Sequence, residues 1–289
     1  MKVPSLWKDL RPSERLTSSA LLLLTGLTVL ARPAAWPGLA MGFTGLLVML
    51  VGLARFRIGP SLLLVRDFAP AVAVLGIFLL LQPLVAAVNP HRWDATLAAA
   101  DARWFPGLAA SWRGAFGRPP WFTDLLYLAY ISFYALPLSV AGLFRARSGS
   151  RDFDSVAFHL LLGFFLSFLG YFLCPAEGPR VPEMLEAPTL GGGAVSNGIR
   201  TFLRAAEHTT LDAFPSGHTA LSVLPAMLAS RTLGRKAWPF WLWALAIIFA
   251  TVYVSAHYVV DILAGLGLAV LTLGIADPLH RLMAPNPDT

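Results

Sequence analysis

The sequence predicts an all-α, polytopic integral membrane protein with about eight membrane-spanning helices. Three observations predict this fold class: hydrophobic residues make up 56% of the 289-residue chain, charged residues make up only 13%, and the mean hydropathy is +0.65. A soluble globular domain carries about 25% charged residues. The shortage of charge implies that much of the surface faces lipid.

Eight apolar runs predict the spanning helices, because about 20 mostly apolar residues cross the hydrocarbon core of a bilayer. The first run, 16–31, follows a basic stretch and is short enough to lie at the membrane interface instead. No small-x-small cleavage site follows it, so we expect a retained helix rather than a signal peptide. The other runs are 38–54, 68–88, 122–144, 153–174, 215–233, 238–255 and 258–276.

Two long connections interrupt this pattern. Residues 89–121 contain tryptophan at four positions and apolar residues at helical spacing, which indicates amphipathic segments at headgroup level. Residues 175–213 are rich in proline and glycine, and we expect a short helix over 198–208 that carries Arg200 and Arg204.

The distribution of basic residues predicts the orientation. With eight spans, the two termini and the loops near 55–67, 145–152 and 231–237 share one side and carry 14 of the 22 Lys and Arg residues. Short cytoplasmic loops are enriched in these residues. We therefore place this side in the cytoplasm and expect both long connections to face the periplasm, the cell exterior or an organelle lumen.

Charge also bears on the class of partner. The net charge of +6 and the pI near 9.9 favour nucleic acid in a soluble protein. In a membrane protein the same residues contact cytoplasmic headgroups, so we expect membrane lipids and no nucleic acid as partners. We divide the chain into N-terminal transmembrane helices (1–66), a catalytic membrane core (67–277) and a short cytoplasmic tail (278–289).

Ionisable residues at one membrane face carry the functional signal. In the stretch TVYVSAHYVVDILAG, His257 and Asp261 lie one helical turn apart and share a helix face. The stretch FPSGHTAL opens the sixth predicted helix and contains His218. Because this helix leaves the outer face and the seventh returns to it, His218 and His257 can meet in space.

These residue types suit phosphoryl transfer. A carboxylate on one imidazole nitrogen makes the other nitrogen more basic, as an attacking histidine requires, so we assign His257 as nucleophile and Asp261 as its partner. His218 is then the general acid. Ser216 and Gly217 stand at a helix N-terminus, where unpaired N–H groups bind phosphate.

Phosphate oxygens also need cationic partners, for which the second connection offers Arg180, Arg200 and Arg204. Two alternatives stay open. Two histidines and an aspartate can ligate zinc, although nothing about Pro-Ser-Gly serves a metal, and we expect none. A transporter or flippase also keeps charges in the membrane, but at mid-depth rather than at one interface.

The segment Pro215-Ser216-Gly217-His218, followed by His257-x-x-x-Asp261, resembles the type 2 phosphatidic acid phosphatase superfamily. The resemblance covers residues 68–276 and implies that the third to eighth predicted helices form the six-helix core of that superfamily. It implies a metal-independent enzyme without cofactor, in which His257, Asp261 and His218 play the roles given above. Ser216 and Gly217 would hold the phosphate.

Two positions depart from the superfamily pattern. Its third motif has an arginine where this chain has Thr251, and its first motif has a lysine where this chain has Leu173. The segment Arg180-Val181-Pro182 is a loose match to the Arg-Pro of that first motif. Two cationic phosphate ligands are therefore absent or relocated.

These departures are similar to one branch. The stretch ATVYVSAHYVVDILAG looks like the third motif of the inositol-phosphorylceramide synthase group, which lacks the arginine, and the Asp94…Asp101 stretch resembles bacterial relatives of that group. The branch implies transfer of a phospho-headgroup, such as phosphoinositol, to a lipid hydroxyl through a phosphohistidine. Gly217 fits instead a lipid phosphate phosphatase, which is the alternative.

Overall fold

The computed structural model describes residues 6–55, 59–179, 190–206 and 210–284, and no strand occurs among them. The prediction of an all-α protein is confirmed. The helices are α1 Pro12–Ala31, α2 Trp36–Arg55, α3 Pro60–Val88, α4 Asp94–Trp104, α5 Leu108–Phe116, α6 Pro120–Ile131, α7 Ala135–Leu173, α8 Ala194–Ala206, α9 Gly217–Leu233, α10 Trp238–Tyr253 and α11 Val259–Met283.

Seven helical stretches are long and apolar enough to cross a membrane, so the chain is a multi-pass integral membrane protein. The eight predicted runs fall within these seven stretches, because the stretch Gly217–Tyr253 contains both α9 and α10. These two helices pack against each other. The chain reverses between them in a short 3₁₀ turn at Gly234, where the positive φ of 56° suits a residue without a side chain.

Helix α7 also contains a reversal. Its residues belong to two spanning stretches, Pro120–Arg147 and Asp152–Leu173. The rings of Phe133 and Phe164 lie 6.4 Å apart, although 31 residues separate them in the sequence. The chain therefore reverses between the two spans, and the second span returns it to the end of the bundle where α6 begins.

Helix α1 is part of the bundle and not an interfacial helix. It begins at Pro12 and packs against α2, α3, α7 and α11. Its first turn is polar yet buried, since Glu14 and Arg15 are only 2% and 7% exposed. The apolar run alone therefore underestimates the length of this helix, because its first residues are charged and are held by tertiary contacts. Glu14 pairs with Arg66, and Arg15 donates to the carbonyls of Trp7 and Met283.

Ion pairs at this end of the bundle, among Arg11, Glu14, Arg66, Asp67 and Arg145, form a group that we call the far-end charged cluster. Asp67 accepts from Arg11 and Arg145 at 2.5 Å each, and Arg66 binds Glu14 at 2.7 Å. Buried charges are tolerated when they are paired in this way. In the last turn of α11, His280 contacts Asp154 at 3.1 Å.

Three shorter helices lie outside the spans. Helix α4 packs on α11, α5 on α10, and α8 on α6. The exposed Trp104 and Trp121 are consistent with the predicted aromatic residues at headgroup level. The helix predicted over 198–208 is observed as α8.

Candidate active site

Two histidines from different helices meet at the end of the bundle opposite the far-end charged cluster. His218 lies in the first turn of α9, and His257 lies in the turn between α10 and α11. The Nδ1 atom of His218 is 3.2 Å from the Nε2 atom of His257. Asp261, in the first turn of α11, completes the predicted set. From Asp261 to His280, α11 rises about 28 Å.

The surroundings of His257 determine which ring nitrogen is reactive. Its Nδ1 lies 2.9 Å from the carbonyl oxygen of Ala213, and a carbonyl can only accept a hydrogen bond. Nδ1 therefore carries the proton, and Nε2 of the neutral ring holds the lone pair. His218 Nδ1–H then donates to His257 Nε2. His257 is 3% exposed, so its nucleophilic nitrogen is held in a buried setting.

Asp261 lies on the Nδ1 side of the His257 ring. Its Oδ2 atom lies 3.6 Å from His257 Nδ1 and accepts from the backbone N–H of Tyr258 at 2.9 Å. Its Oδ1 atom is buried and has no hydrogen-bond partner within the part of the chain that the structure describes. A carboxylate at this distance would stabilise a positive charge on the ring of His257.

Aromatic rings fix the orientation of His218. The ring of Tyr130 stacks on it at 4.5 Å, and the ring of Phe133 lies 4.4 Å away at a tilt. Tyr130 lies in α6 and Phe133 in the 3₁₀ turn that follows it, so this segment positions His218, while α11 and the residues before α9 contact His257.

The structure gives Ser216 and Gly217 local roles at the start of α9. Ser216 is the N-cap: its Oγ accepts from the N–H and hydroxyl of Thr219 at 3.2 and 3.1 Å. A Cβ on Gly217 would lie 2.9 Å from the hydroxyl of Tyr171, so this glycine permits a close helix contact. Pro215, expected in the first helical turn, instead precedes the cap.

Of the three arginines predicted to bind phosphate, the structure describes the side chain of Arg200 alone. Arg180 lies outside the described residues, as does the side chain of Arg204. Arg200 is buried, donates to the carbonyl of Gly191 and to Asn197, and lies over the ring of Tyr127. The structure does not bring Arg200 into contact with either histidine.

Carboxylates on α4 hold the segments around the histidines, a function that sequence reasoning did not assign. Asp101 accepts from the backbone N–H of Val260 at 3.1 Å and so caps α11. Asp94 accepts from the N–H groups of Glu177 and Gly178 at 2.9 and 2.8 Å. Asp–backbone bonds of this kind join residues distant in sequence, so no local pattern reveals them.

A cavity of about 290 Å³ opens beside His257. Its lining includes Asp101, Arg113, Ser255, His257 and Tyr258. Burial raises the pKa of Asp101, and burial together with the nearby carboxylates raises the pKa of the Tyr258 hydroxyl to about 12. The phenol is therefore a neutral donor at physiological pH. A larger apolar groove of about 600 Å³ on α2 contains none of these residues.

The described residues contain no group of three His, Cys, Asp or Glu side chains arranged to hold a metal ion. The two imidazoles contact each other directly, and the second nitrogen of His257 faces a carbonyl. A nitrogen with a lone pair therefore faces an N–H donor, which is an arrangement that suits nucleophilic attack and proton transfer.

Comparison with known proteins identifies the family. No curated protein and no solved structure gives a significant match. A family model described as PAP2 superfamily matches residues 95–275, from α4 to most of α11, and includes both histidines and Asp261. Membership supports lipid phosphatase or phosphotransferase activity in general. Because this model matches well over half of the sequence, the chain belongs to the PAP2 superfamily.

Proposed function

We propose that this protein is a membrane lipid phosphotransferase that moves a phospho-headgroup between lipids through a phosphohistidine on His257. The observation that carries the proposal is the pairing of His257 Nε2, which holds a lone pair, with His218 Nδ1–H at 3.2 Å. One group is a nucleophile and the other a proton donor. These are the two functions that a covalent phosphoryl transfer requires.

The reaction follows from these two groups. His257 Nε2 attacks phosphorus, the bond from phosphorus to the oxygen of the departing lipid breaks, and His218 gives that oxygen its proton. A hydroxyl of the acceptor lipid then loses its proton to His218 as its oxygen attacks phosphorus and the N–P bond breaks. Asp261 stabilises the charged imidazole during both steps.

The choice between lipid hydroxyl and water as acceptor separates a transferase from the alternative, a lipid phosphate phosphatase. The resemblance of ATVYVSAHYVVDILAG to the inositol-phosphorylceramide synthase group supports the transferase.

The position of the charges supports an enzyme rather than a transporter or flippase. The histidines lie at one end of the bundle, and the far-end charged cluster lies at the other. That cluster includes Arg66 and Arg145, from the side that the basic residues assign to the cytoplasm. We therefore place the histidines at the opposite, outer face, where lipid phosphates are accessible.

The test uses purified protein in liposomes with His257→Gln as the matched control. One preparation contains phosphatidic acid, and another contains phosphatidylinositol with ceramide or diacylglycerol. Products are read by mass spectrometry together with free phosphate. A new headgroup-bearing lipid that depends on His257 supports the transferase. Phosphate release alone supports the phosphatase, and equal turnover by the His257→Gln protein rejects the mechanism.

A further inference from the structure

The cavity beside His257 contains one cationic side chain that the mechanism does not yet use. Among the described residues that line it, Arg113 is the only Lys or Arg. Arg113 comes from the interfacial helix α5, far in sequence from either histidine. We propose that Arg113 binds the phosphate of the lipid substrate, an inference that rests on the proposed function and adds a binding residue to it.

A cation is needed at this place because the reacting phosphate is negatively charged in a buried site. The position that holds arginine in the third superfamily motif does not supply one. Thr251 is fully buried, its hydroxyl donates to the carbonyl of Ile248 at 2.7 Å, and it does not line the cavity. The other charged residue of the lining, Asp101, is a carboxylate and would repel phosphate.

Arg113 is hydrogen-bonded to the end of α10, just before His257. Its guanidinium donates to the hydroxyl of Ser255 at 2.6 Å and to the carbonyl of Tyr253 at 3.3 Å. Ser255 has a φ of 57°, and its N–H and that of Ala256 bond back to Val252 and Thr251, which ends α10 in a Schellman motif. His257 follows two residues later, so Arg113 and His257 face the same cavity from adjoining walls.

Aromatic packing holds α5 in place on both sides of Arg113. Trp112 stacks on Phe249 of α10 at 4.8 Å, and Phe116 meets the same ring edge-on at 5.3 Å. After α5, the carbonyl of Gly117 accepts from the hydroxyl of Tyr253 at 2.8 Å. The planar guanidinium matches a phosphate in shape, and this packing fixes its position against α10.

The experiment measures binding of orthovanadate, an oxyanion of the shape and charge of phosphate, to the full-length protein in detergent by calorimetry. We expect Arg113→Gln to weaken vanadate binding at least about tenfold, since a charge-assisted bond to the anion is lost. Arg103→Gln on the exposed face of α4 is the control and keeps wild-type affinity. Lipid turnover is measured on the same preparations.

Two further variants separate a phosphate ligand from a structural support. Ser255→Gly keeps the backbone conformation but removes the side-chain bond to Arg113, so it should change vanadate affinity less than about threefold. Equal weakening by Ser255→Gly and Arg113→Gln would show that Arg113 only holds the turn, and would overturn the inference. If Arg113→Gln does not fold, Arg113→Met, which keeps a long side chain without the charge, replaces it, and unchanged affinity in that variant contradicts the inference.

The outcomes also distinguish this inference from the proposed function. A wild-type protein that neither binds vanadate nor turns over lipid overturns both. A wild-type protein with turnover that depends on His257, and an Arg113→Gln protein with unchanged vanadate affinity, overturn only the role of Arg113.

Discussion

His218 Nδ1 and His257 Nε2 face each other at 3.2 Å, and each ring is held on its other side by a different part of the fold. Tyr130 packs on the first ring, whereas the carbonyl of Ala213 fixes the second. A phosphorus atom under attack by Nε2 has its leaving oxygen on the opposite side. The proposed mechanism therefore requires the substrate to enter between the two rings, with His218 next to the departing oxygen.

The first prediction concerns the general acid. His218→Gln should lower the rate on a natural lipid by ~10²–10⁴-fold, because the departing alkoxide no longer receives a proton. The loss should be much smaller for p-nitrophenyl phosphate, whose leaving group is stable as an anion. Steady-state kinetics on both substrates checks this.

His257→Gln is the comparison, since a nucleophile is required whatever the leaving group. It should abolish turnover of both substrates. An equal loss by His218→Gln on the two substrates would contradict the role of His218 as general acid.

Much of this site was predictable from the sequence, because its central residues obey local spacing rules. The i, i+4 spacing of His257 and Asp261 predicts that the two side chains approach each other on one helix face, and the topology of the predicted helices brings His218 to the same end. The structure shows both approaches, but His257 lies in the turn before α11 and not on a helix face. The all-α, multi-pass fold was equally predictable, since it depends on composition and on the length of apolar runs.

Tertiary contacts decide what the sequence left open. The structure shows Ser216 as the N-cap of α9 and Gly217 in close contact with Tyr171, a contact that no local pattern reveals, and phosphate binding by these two residues stays a prediction. Asp101 and Arg113 approach the histidines only because α4 and α5 fold back onto α11 and α10. A chain separation of more than 140 residues hides such partners from motif analysis.

The second prediction concerns pH and Asp101, whose pKa is raised by burial. A folded-state pKa above the unfolded value means that this group contributes stability below its unfolded pKa, and that the contribution is lost as pH rises through the folded pKa. Asp101→Asn keeps an acceptor for Val260 N–H without the buried charge. Its unfolding temperature at pH 7 should therefore equal or exceed that of wild type, and the difference should shrink toward pH 4.

Asp101→Ala is the matched variant, because it removes the acceptor as well as the charge. It should be about 1 kcal/mol less stable than Asp101→Asn at every pH, as is typical when a helix cap is deleted. An Asn variant that is clearly less stable than wild type at pH 7 would mean that the carboxylate charge stabilises α11.

The third prediction concerns the far-end charged cluster. The side chain of Asp67 is fully buried between Arg11 and Arg145. Asp67→Asn leaves two arginines without their counter-charge and should cost ~3 kcal/mol of stability. Because the cluster lies at the opposite end of the bundle from the histidines, the turnover of the folded fraction should not change. Thermal unfolding in detergent and kinetics on the same sample check both statements.

Arg231→Gln is the control for Asp67→Asn. Arg231 pairs with Asp277 at 3.2 Å, but both side chains are nearly half exposed, so its removal should cost less than about 1 kcal/mol. If the two variants unfold at the same temperature, the buried cluster does not stabilise the packing of α1 against the bundle.

The last prediction concerns the contact that aligns α9 with α11. A Cβ on Gly265 would lie 2.6 Å from the backbone oxygen of Ser216 and 2.9 Å from Thr219. Neither is the flexible end of a long side chain, so Gly265→Ala must push the two helices apart. Overpacking of this kind costs ~1–3 kcal/mol. The displacement also moves His218 away from Asp261 and His257, and a shift of about 1 Å can lower the rate ~10²-fold.

Gly267, two residues later on α11, has open space around it. Gly267→Ala should therefore keep full activity and gain roughly 0.5–1 kcal/mol from the better helix propensity of alanine. Unfolding temperature and lipid turnover, measured on both alanine variants, test this prediction. If Gly265→Ala behaves like Gly267→Ala, close contact of α9 with α11 does not set the distance between the histidines.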